Sequence, residues 1–183
     1  MPVQRTSELI EVAWSGPHEP MAVEGLNGAL DYGLISFYGS HPVFGSDALL
    51  YVDEAREQPF GARMRRVEPW TRHLPSAPSV YLGRLGGPDS PTDAEWRDAI
   101  ERAYRLVTFF HAPPWNSRGL DHHGVLGRPT TVLNVGRRHR LSMEVSTAWD
   151  ESTWDPKGSL WRPYGQAEVT ERRVQDGVEP TSR

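Results

Sequence analysis

Short apolar segments of strand length recur along the first half of the chain, and turn-forming residues separate them. Four of these segments predict β-strands, over residues 9–14, 30–38, 48–52 and 79–85. The second and third flank a connection rich in glycine and serine, so an antiparallel hairpin is the simplest pairing for them. Further along, residues 130–135 and 139–145 predict a second hairpin around Gly136, Arg137 and Arg138.

The strongest helical pattern follows the fourth predicted strand. Thr92 and Glu95 have the spacing of a capping box. Apolar residues then recur at steps of three and four up to Phe110, and Pro113 and Pro114 terminate the pattern. We therefore predict a long amphipathic helix that ends just before the two prolines.

A shorter helix is predicted over residues 59–67, between the first hairpin and the fourth strand. Proline is well tolerated at the first helical position, as at Pro59, and Pro69 is expected to end the helix. This helix carries three arginines, Arg63, Arg65 and Arg66.

These elements predict an α+β fold with a small, mainly antiparallel sheet flanked by helices. We expect one domain over residues 1–150, with a core at about 31–117 and a C-terminal hairpin extension at about 118–150. Beyond Asp150 apolar residues thin out and glycine, proline and charged residues dominate. Residues 151–183 are accordingly expected to form an irregular tail.

Composition narrows the functional classes. The 183 residues contain no cysteine, which excludes disulfides and thiolate metal sites and fits a reducing cytoplasm. No apolar run is long enough to span a membrane, and no signal peptide is visible. Because the net charge is −4, any surface that binds nucleic acid must be a local cluster of positive charges. Nineteen of the 20 basic residues are arginine, which suits bidentate phosphate recognition.

The order of several motifs resembles the GIY-YIG nuclease family. Gly33-Leu34-Ile35 lies on the first strand of the hairpin, and Tyr51-Val52-Asp53 on the second. An arginine helix follows, then Glu101 on the long helix, and finally Asn116 after Trp115. The resemblance covers roughly residues 31–117.

The resemblance implies a metal-dependent endonuclease that hydrolyses DNA phosphodiester bonds. It assigns Glu101 to a Mg²⁺ or Mn²⁺ ion and Arg63 to the scissile phosphate, with Arg66 as the second choice of arginine. It assigns Tyr51 to proton removal or water orientation, and Asn116 to fixing the site. Metal ions and arginines are the groups that neutralise developing charge on a phosphoryl oxygen.

The chain also departs from the family pattern. The first tyrosine is replaced by Ile35, for which Tyr32 or Tyr38 is a candidate substitute, and the glycine of the second motif is replaced by Asp53. The family's arginine lies slightly earlier, where this chain has Gly61. These departures favour an alternative function, a catalytically degenerate domain that binds nucleic acid or a protein partner.

Each candidate residue also has a structural interpretation. Glu101 is spaced four residues from Arg97 and Arg105, which is the spacing of surface ion pairs on a helix. Asn116 follows two prolines and a tryptophan and can close a turn through its side chain. His41 and His111 lie near the motifs, and a structural role is expected for both.

Three further observations leave other functions open. Asp121, His122, His123, Asn134 and His139 follow the order of a His-Asn-His metal nuclease, although their spacing is short. The predicted turn at 136–140 offers Arg137, Arg138 and Arg140 as nucleic-acid contacts, and Arg66 on the shorter predicted helix is a fourth predicted contact. The seven tryptophans give weak support to a domain that binds a small ligand. The oligomeric state does not follow from the sequence.

Overall fold

The computed structural model describes residues 8–71, 76–86, 93–125 and 129–148. The strands in chain order are β1 (Glu8–His18), β2 (Gly33–His41), β3 (Gly45–Ala55), β4 (Ser79–Gly86), β5 (Thr130–Gly136) and β6 (Glu144–Ser146). The helices are α1 (Pro20–Val23), α2 (Phe60–Thr71) and α3 (Asp93–His111). The α+β class predicted from the sequence is confirmed.

The six strands form one sheet in the order β3-β2-β4-β1-β5-β6. Four of the neighbouring pairs are antiparallel, but β1 and β5 run parallel, with Ile10 opposite Val132. The sheet is therefore mixed. The β5–β6 hairpin is part of this sheet and is not an extension of it, because β5 pairs along its length with β1.

The β2–β3 hairpin predicted from the sequence is present, and β2 also pairs with β4. Gly33 opens β2 with a φ of 141°, and a Cβ at this position would overlap the carbonyl oxygen of Gly83 on β4. Glycine is thus required at the first residue of the Gly33-Leu34-Ile35 motif for the close approach of these two strands.

The sheet is covered on both faces, so β2 is buried along most of its length. Its alternate side chains enter two different cores. Leu34 and Tyr38 join the core that packs against α3, whereas Ile35 and Phe37 join the core that packs against α1 and α2.

Helix α2 is longer than predicted, since it passes through Pro69 and ends at Thr71. A proline in the last turn removes only one backbone donor, so the helix ends two residues later instead of at the proline. Its first turn is anchored to the segment just before β2, because the Phe60 amide donates to the Asp31 carbonyl at 2.7 Å. Arg63 follows one turn later on the same helix and reaches Asp53 on β3.

Helix α3 matches its prediction closely, and it ends before Pro113 and Pro114. The capping residue proposed for it, Thr92, lies outside the described residues. The buried Arg102 ties α3 to the sheet, because its guanidinium donates to Glu8 Oε1 at 2.8 Å and to Thr130 Oγ1 at 3.2 Å. Glu101 therefore has a fixed position relative to the strands.

The chain divides into two compact units, Met1–Thr147 and Ala148–Arg183. The second unit lies outside the described residues apart from Ala148, and so does the tail predicted for residues 151–183. None of the described helices has the length and apolar character needed to cross a membrane.

Candidate functional site

A cavity of about 1280 Å³ lies beside β3, the edge strand of the sheet. The side chains of β3 alternate between its two faces, so that Tyr51 and Asp53 face α2 while Glu54 faces α3. Since both faces meet at the edge strand, the cavity is lined by residues of α2, of β3, of α3 and of the segment that follows α3.

The four residues predicted to be catalytic all line this cavity. Tyr51 comes from β3, Arg63 from α2, Glu101 from α3, and Asn116 from the segment after α3. The structure thus brings together side chains that are 65 residues apart at most in the sequence. Their catalytic roles remain predictions.

Asp53 holds Arg63 in a bidentate ion pair. Arg63 Nε donates to Asp53 Oδ2 at 2.6 Å, and Nη2 donates to Oδ1 at 2.7 Å. The carboxylate is only 2% exposed, and its hydrogen bonds raise the pKa of the Arg63 guanidinium. Asp53, which replaces the glycine of the motif, therefore takes two hydrogen-bond donors of Arg63. Arg63 is the arginine that the resemblance assigns to the scissile phosphate.

Glu101 is enclosed by two other arginines. Oε1 accepts hydrogen bonds from Arg105 Nε at 3.0 Å and Nη2 at 2.6 Å, and Oε2 accepts one from Arg56 Nη1. The hydrogen bonds from Arg105 are the main cause that lowers the pKa of the Glu101 carboxyl. The i, i+4 ion pair with Arg105 that the spacing indicated is formed, whereas Arg97 lies 3.9 Å from Glu57 instead.

The residues at Glu101 do not fit a divalent cation in this arrangement. Mg²⁺ is bound by carboxylate oxygens whose lone pairs are available, together with waters. Both Glu101 oxygens instead accept from positively charged guanidinium groups. Within the described ranges, no three His, Asp or Glu side chains are grouped as metal ligands.

Glu54 is the third carboxylate of the cavity. Burial raises the pKa of its carboxyl, and the neighbouring charges of Glu101 and Asp53 raise it further. Its Oε2 atom is buried, lies 3.4 Å from Arg56 Nε, and makes no hydrogen bond within the described part of the chain. All three carboxylates of the cavity therefore lie beside arginines, with Glu54 and Glu101 sharing Arg56 and Asp53 pairing with Arg63.

The tyrosines of the cavity are poor bases. Burial raises the pKa of Tyr51 to about 12, and the charge of Asp53 adds to the effect. Burial also raises the pKa of Tyr104. Both phenols are therefore protonated at neutral pH, and neither removes a proton from water readily.

Asn116 has a clear structural role. Its side-chain oxygen accepts from the Val52 amide at 2.9 Å, and its nitrogen donates to the Val52 carbonyl at 2.8 Å. The amide thereby pairs with the free edge of β3 as another strand would. The turn after the two prolines is closed by the backbone amide of Asn116, which donates to the Pro113 carbonyl at 3.1 Å, and not by its side chain as the sequence indicated.

The other predicted nucleic-acid contacts lie outside this cavity. Arg66 lines a neighbouring cavity of about 250 Å³, which shares Glu54, Arg56 and Arg63 with the larger one. The three arginines between β5 and β6 make local contacts. Arg137 Nη1 donates to the Gly16 carbonyl at 3.1 Å, Arg138 Nη1 donates to the Leu141 carbonyl, and Arg140 Nε lies 3.0 Å from Asp47 Oδ2.

Neither candidate substitute for the missing first tyrosine reaches the cavity. Tyr38 is buried and packs against Tyr81 and His139, with ring centroids 5.4 and 4.5 Å away. Tyr32 packs against the core on the α3 side. Ile35, which occupies the position of the missing tyrosine, is fully buried in the core that packs against α1 and α2.

The proposed His-Asn-His order does not form a site. Asn134 is buried, accepts from Trp14 Nε1 at 2.9 Å and donates to the Ser142 carbonyl at 2.8 Å. His139 lies 3.0 Å from Asp47, and His123 Nδ1 accepts from the Val125 amide. These contacts hold loops and strand ends in place.

The two histidines near the motifs differ. Burial lowers the pKa of His111, whose Nδ1 bonds to the Val107 carbonyl while Nε2 accepts from the Ser142 amide. That position is structural, as expected. His41 lines the cavity, and its Nδ1 lies 3.2 Å from the Val43 amide and 3.3 Å from the Phe44 amide.

Three cavity arginines were not identified as site residues from the sequence. The sequence indicated Arg105 only as an ion-pair partner of Glu101 on the same helix. Arg56 follows β3, and Arg118 lies in the segment after the two prolines, so no local pattern marks either of them. Only the tertiary arrangement places all three in the same cavity as Arg63.

Comparisons of the chain with protein-family models, with curated proteins and with solved structures found no match.

Proposed function

We propose that this domain binds nucleic acid through its cavity arginines, as a GIY-YIG-like domain that has lost metal-dependent cleavage. The observation that carries the proposal is the environment of Glu101. Its Oε2 atom accepts a hydrogen bond from Arg56 and its Oε1 atom accepts one from Arg105. The carboxylate predicted to bind a metal ion therefore binds two arginines instead.

The arginines supply a local positive surface on an acidic chain. Arg56, Arg63, Arg105 and Arg118 line the cavity against three carboxylates, and Arg118 pairs with no carboxylate in the described part of the chain. A guanidinium has five N–H donors, and the ion pairs use only some of them. The carboxylates thus hold the guanidinium groups of Arg56, Arg63 and Arg105 in place while leaving donors for phosphate oxygens.

The same contacts disfavour hydrolysis. Arg63 is held by Asp53, and the Tyr51 phenol, whose pKa is raised to about 12, stays protonated at neutral pH. Phosphodiester hydrolysis needs an activated water and stabilisation of the leaving group. The resemblance assigns water activation to Tyr51 and the scissile phosphate to Arg63, but the Tyr51 phenol keeps its proton and Asp53 takes two of the Arg63 donors.

Binding is tested by removing one cavity arginine. A labelled DNA duplex is titrated with wild type, Arg118→Gln and Arg97→Gln in a fluorescence-anisotropy assay at several salt concentrations. Arg97 is the matched control, because it is an exposed arginine on α3 outside the cavity. We expect Arg118→Gln to weaken binding severalfold and to lower the salt slope by about one, whereas Arg97→Gln changes neither. Equal effects of both substitutions would contradict the proposal.

A divergent endonuclease is the second candidate function. It is favoured by the convergence of Tyr51, Arg63, Glu101 and Asn116 on one cavity. The test is a nicking assay on supercoiled and branched DNA with Mg²⁺ or Mn²⁺ and an EDTA control.

The two candidates differ in what Glu101→Gln should do. The binding proposal expects no nicking by wild type, and equal or tighter DNA binding by the variant because Arg56 and Arg105 lose a charged partner. Nicking by wild type that requires metal and is lost in the variant would replace the binding proposal with the endonuclease.

A further inference from the structure

Three aromatic rings adjoin the arginine cavity, because His41 and Trp115 line it and the exposed Phe44 ring stacks on His41. We call His41, Phe44 and Trp115 the aromatic rim. The His41 and Phe44 rings stack with centroids 4.8 Å apart and planes 30° apart, and the His41 and Trp115 centroids are 6.4 Å apart. Phe44 is 62% exposed and Trp115 is 37% exposed. Large aromatic rings exposed together at the mouth of a cavity mark an interaction surface.

The rim is held by the backbone beneath it. The Trp115 amide donates to the Leu50 carbonyl on β3 at 3.1 Å, and the neighbouring Asn116 is fixed to Val52 by two side-chain hydrogen bonds. His41 Nδ1 faces the amides of the turn that carries Phe44. The backbone that carries Phe44 and Trp115 is therefore held in place before a ligand binds, which favours affinity.

We propose that the aromatic rim stacks an unpaired nucleobase while the cavity arginines bind the adjoining phosphates, so that the preferred ligand is single-stranded nucleic acid. This inference rests on the proposed function. His41 and Trp115 line the same cavity as the four arginines, so a ring face and a positive charge adjoin. This pairing matches a single strand, which exposes base faces beside a charged backbone, whereas in a duplex the bases are stacked on one another.

The test compares binding of labelled oligo(dT) of about 20 nucleotides with binding of a duplex of equal length. The variants are Trp115→Ala and Phe44→Ala, and Met21→Ala is the control because Met21 is 84% exposed and lies outside the cavity. We expect wild type to prefer the single strand, and each rim variant to lose about tenfold in affinity for it. The salt slope should stay unchanged, since no phosphate contact is removed. Met21→Ala should bind as wild type does.

The outcomes separate this inference from the function on which it rests. Binding to both ligands that depends on Arg118 but not on Trp115 or Phe44 would overturn the aromatic rim and leave the binding function intact. No binding of either ligand by wild type would overturn both. Phe44→Ala provides an independent measurement if Trp115→Ala unfolds the domain, since Phe44 is largely exposed. Repeating the assay with oligo(rU) distinguishes RNA from DNA as the source of the unpaired bases, and a rim-dependent loss on either strand supports the proposal.

Discussion

At the scale of single residues, Asp53 determines what Arg63 can do. Its buried carboxylate accepts two hydrogen bonds from a guanidinium that is 33% exposed. An ion pair of this kind costs desolvation of the carboxylate, and the bidentate geometry offsets part of that cost. From the sequence, Asp53 was identified as a departure from the glycine of the family motif. In the structure it fits regular β3 pairing opposite Ile35 and neutralises an arginine.

Replacing Asp53 tests this role. Asp53→Asn keeps a hydrogen-bond acceptor but removes the negative charge, so Arg63 becomes available to a phosphate. We expect severalfold tighter DNA binding, and a loss of about 1–3 kcal/mol in the free energy of unfolding because the buried pair is broken. Fluorescence anisotropy and urea unfolding measure the two effects. Asp31→Asn is the matched control, because Asp31 pairs with Arg84 at 2.8 Å outside the cavity. Weaker DNA binding by Asp53→Asn would show that Arg63 does not contact phosphate.

Tyr51 gives a pH-dependent prediction. Its pKa is raised to about 12 in the folded protein, mainly by burial, whereas an unfolded tyrosine titrates near pH 10. Since the unfolded state releases its proton first, this residue lowers the free energy of unfolding as the pH rises above about 10. We expect Tyr51→Phe to lose less stability than wild type between about pH 10 and pH 12 in urea unfolding. The same loss in both proteins would mean that the Tyr51 phenol titrates as an exposed one.

At the scale of elements, the free edge of β3 organises the site. An unpaired edge strand exposes a row of N–H and C=O groups. Here the segment after α3 satisfies some of them through the Trp115 amide and the Asn116 side chain. That contact joins the end of α3 to the sheet, and it holds Trp115 at the mouth of the cavity.

Removal of the Asn116 side chain tests this junction. Asn116→Ala leaves the Val52 amide and carbonyl without partners at a buried position, which should cost about 2–4 kcal/mol in the free energy of unfolding. Asn27→Ala is the control, because Asn27 is an exposed residue that donates one hydrogen bond to the Glu24 carbonyl, and we expect it to cost less than about 1 kcal/mol. Equal losses in the two variants, measured by urea unfolding, would show that the edge contact contributes little.

The sequence predicted those elements whose signal is local. The β2–β3 hairpin lies between two apolar runs, and α3 has both a helical period and two terminating prolines, so both were found. The parallel pairing of β1 with β5 was missed, because Ile10 and Val132 are far apart in the chain and no local pattern marks their partnership. The second hairpin was predicted with a loop that is too short. The backbone beyond Gly136 leaves the sheet, with Leu141 buried and His139 stacked on Tyr81, and β6 begins only at Glu144.

The candidate site was predictable only in part for the same reason. The motif order selected Tyr51, Arg63, Glu101 and Asn116, and these four share one cavity. Their ionic partners could not be read from the order of motifs. Arg56 reaches Glu101 across 45 residues of sequence, and this contact exists only because the end of β3 passes beside α3.

At the scale of the whole molecule, the net charge of −4 hides an uneven distribution. The cavity carries one more arginine than carboxylate, and a second group of arginines lies between β5 and β6. Long-range attraction of nucleic acid depends on the local field near such groups and falls as salt is added. An acidic protein can therefore bind nucleic acid at low salt, and its affinity then falls steeply as the salt concentration rises.

The arginines between β5 and β6 provide the last test of this distribution. Arg137 and Arg138 each donate one hydrogen bond to a backbone carbonyl, which leaves further donors and the whole charge for a phosphate backbone. We expect Arg137→Gln combined with Arg138→Gln to lower the salt slope of DNA binding by about two, in addition to the decrease of about one from Arg118→Gln. Urea unfolding of the double variant controls for the lost backbone contacts. A decrease from Arg118→Gln alone, with no change from the double variant, would confine the nucleic-acid surface to the cavity, because sites that contact phosphate independently contribute additively to the slope.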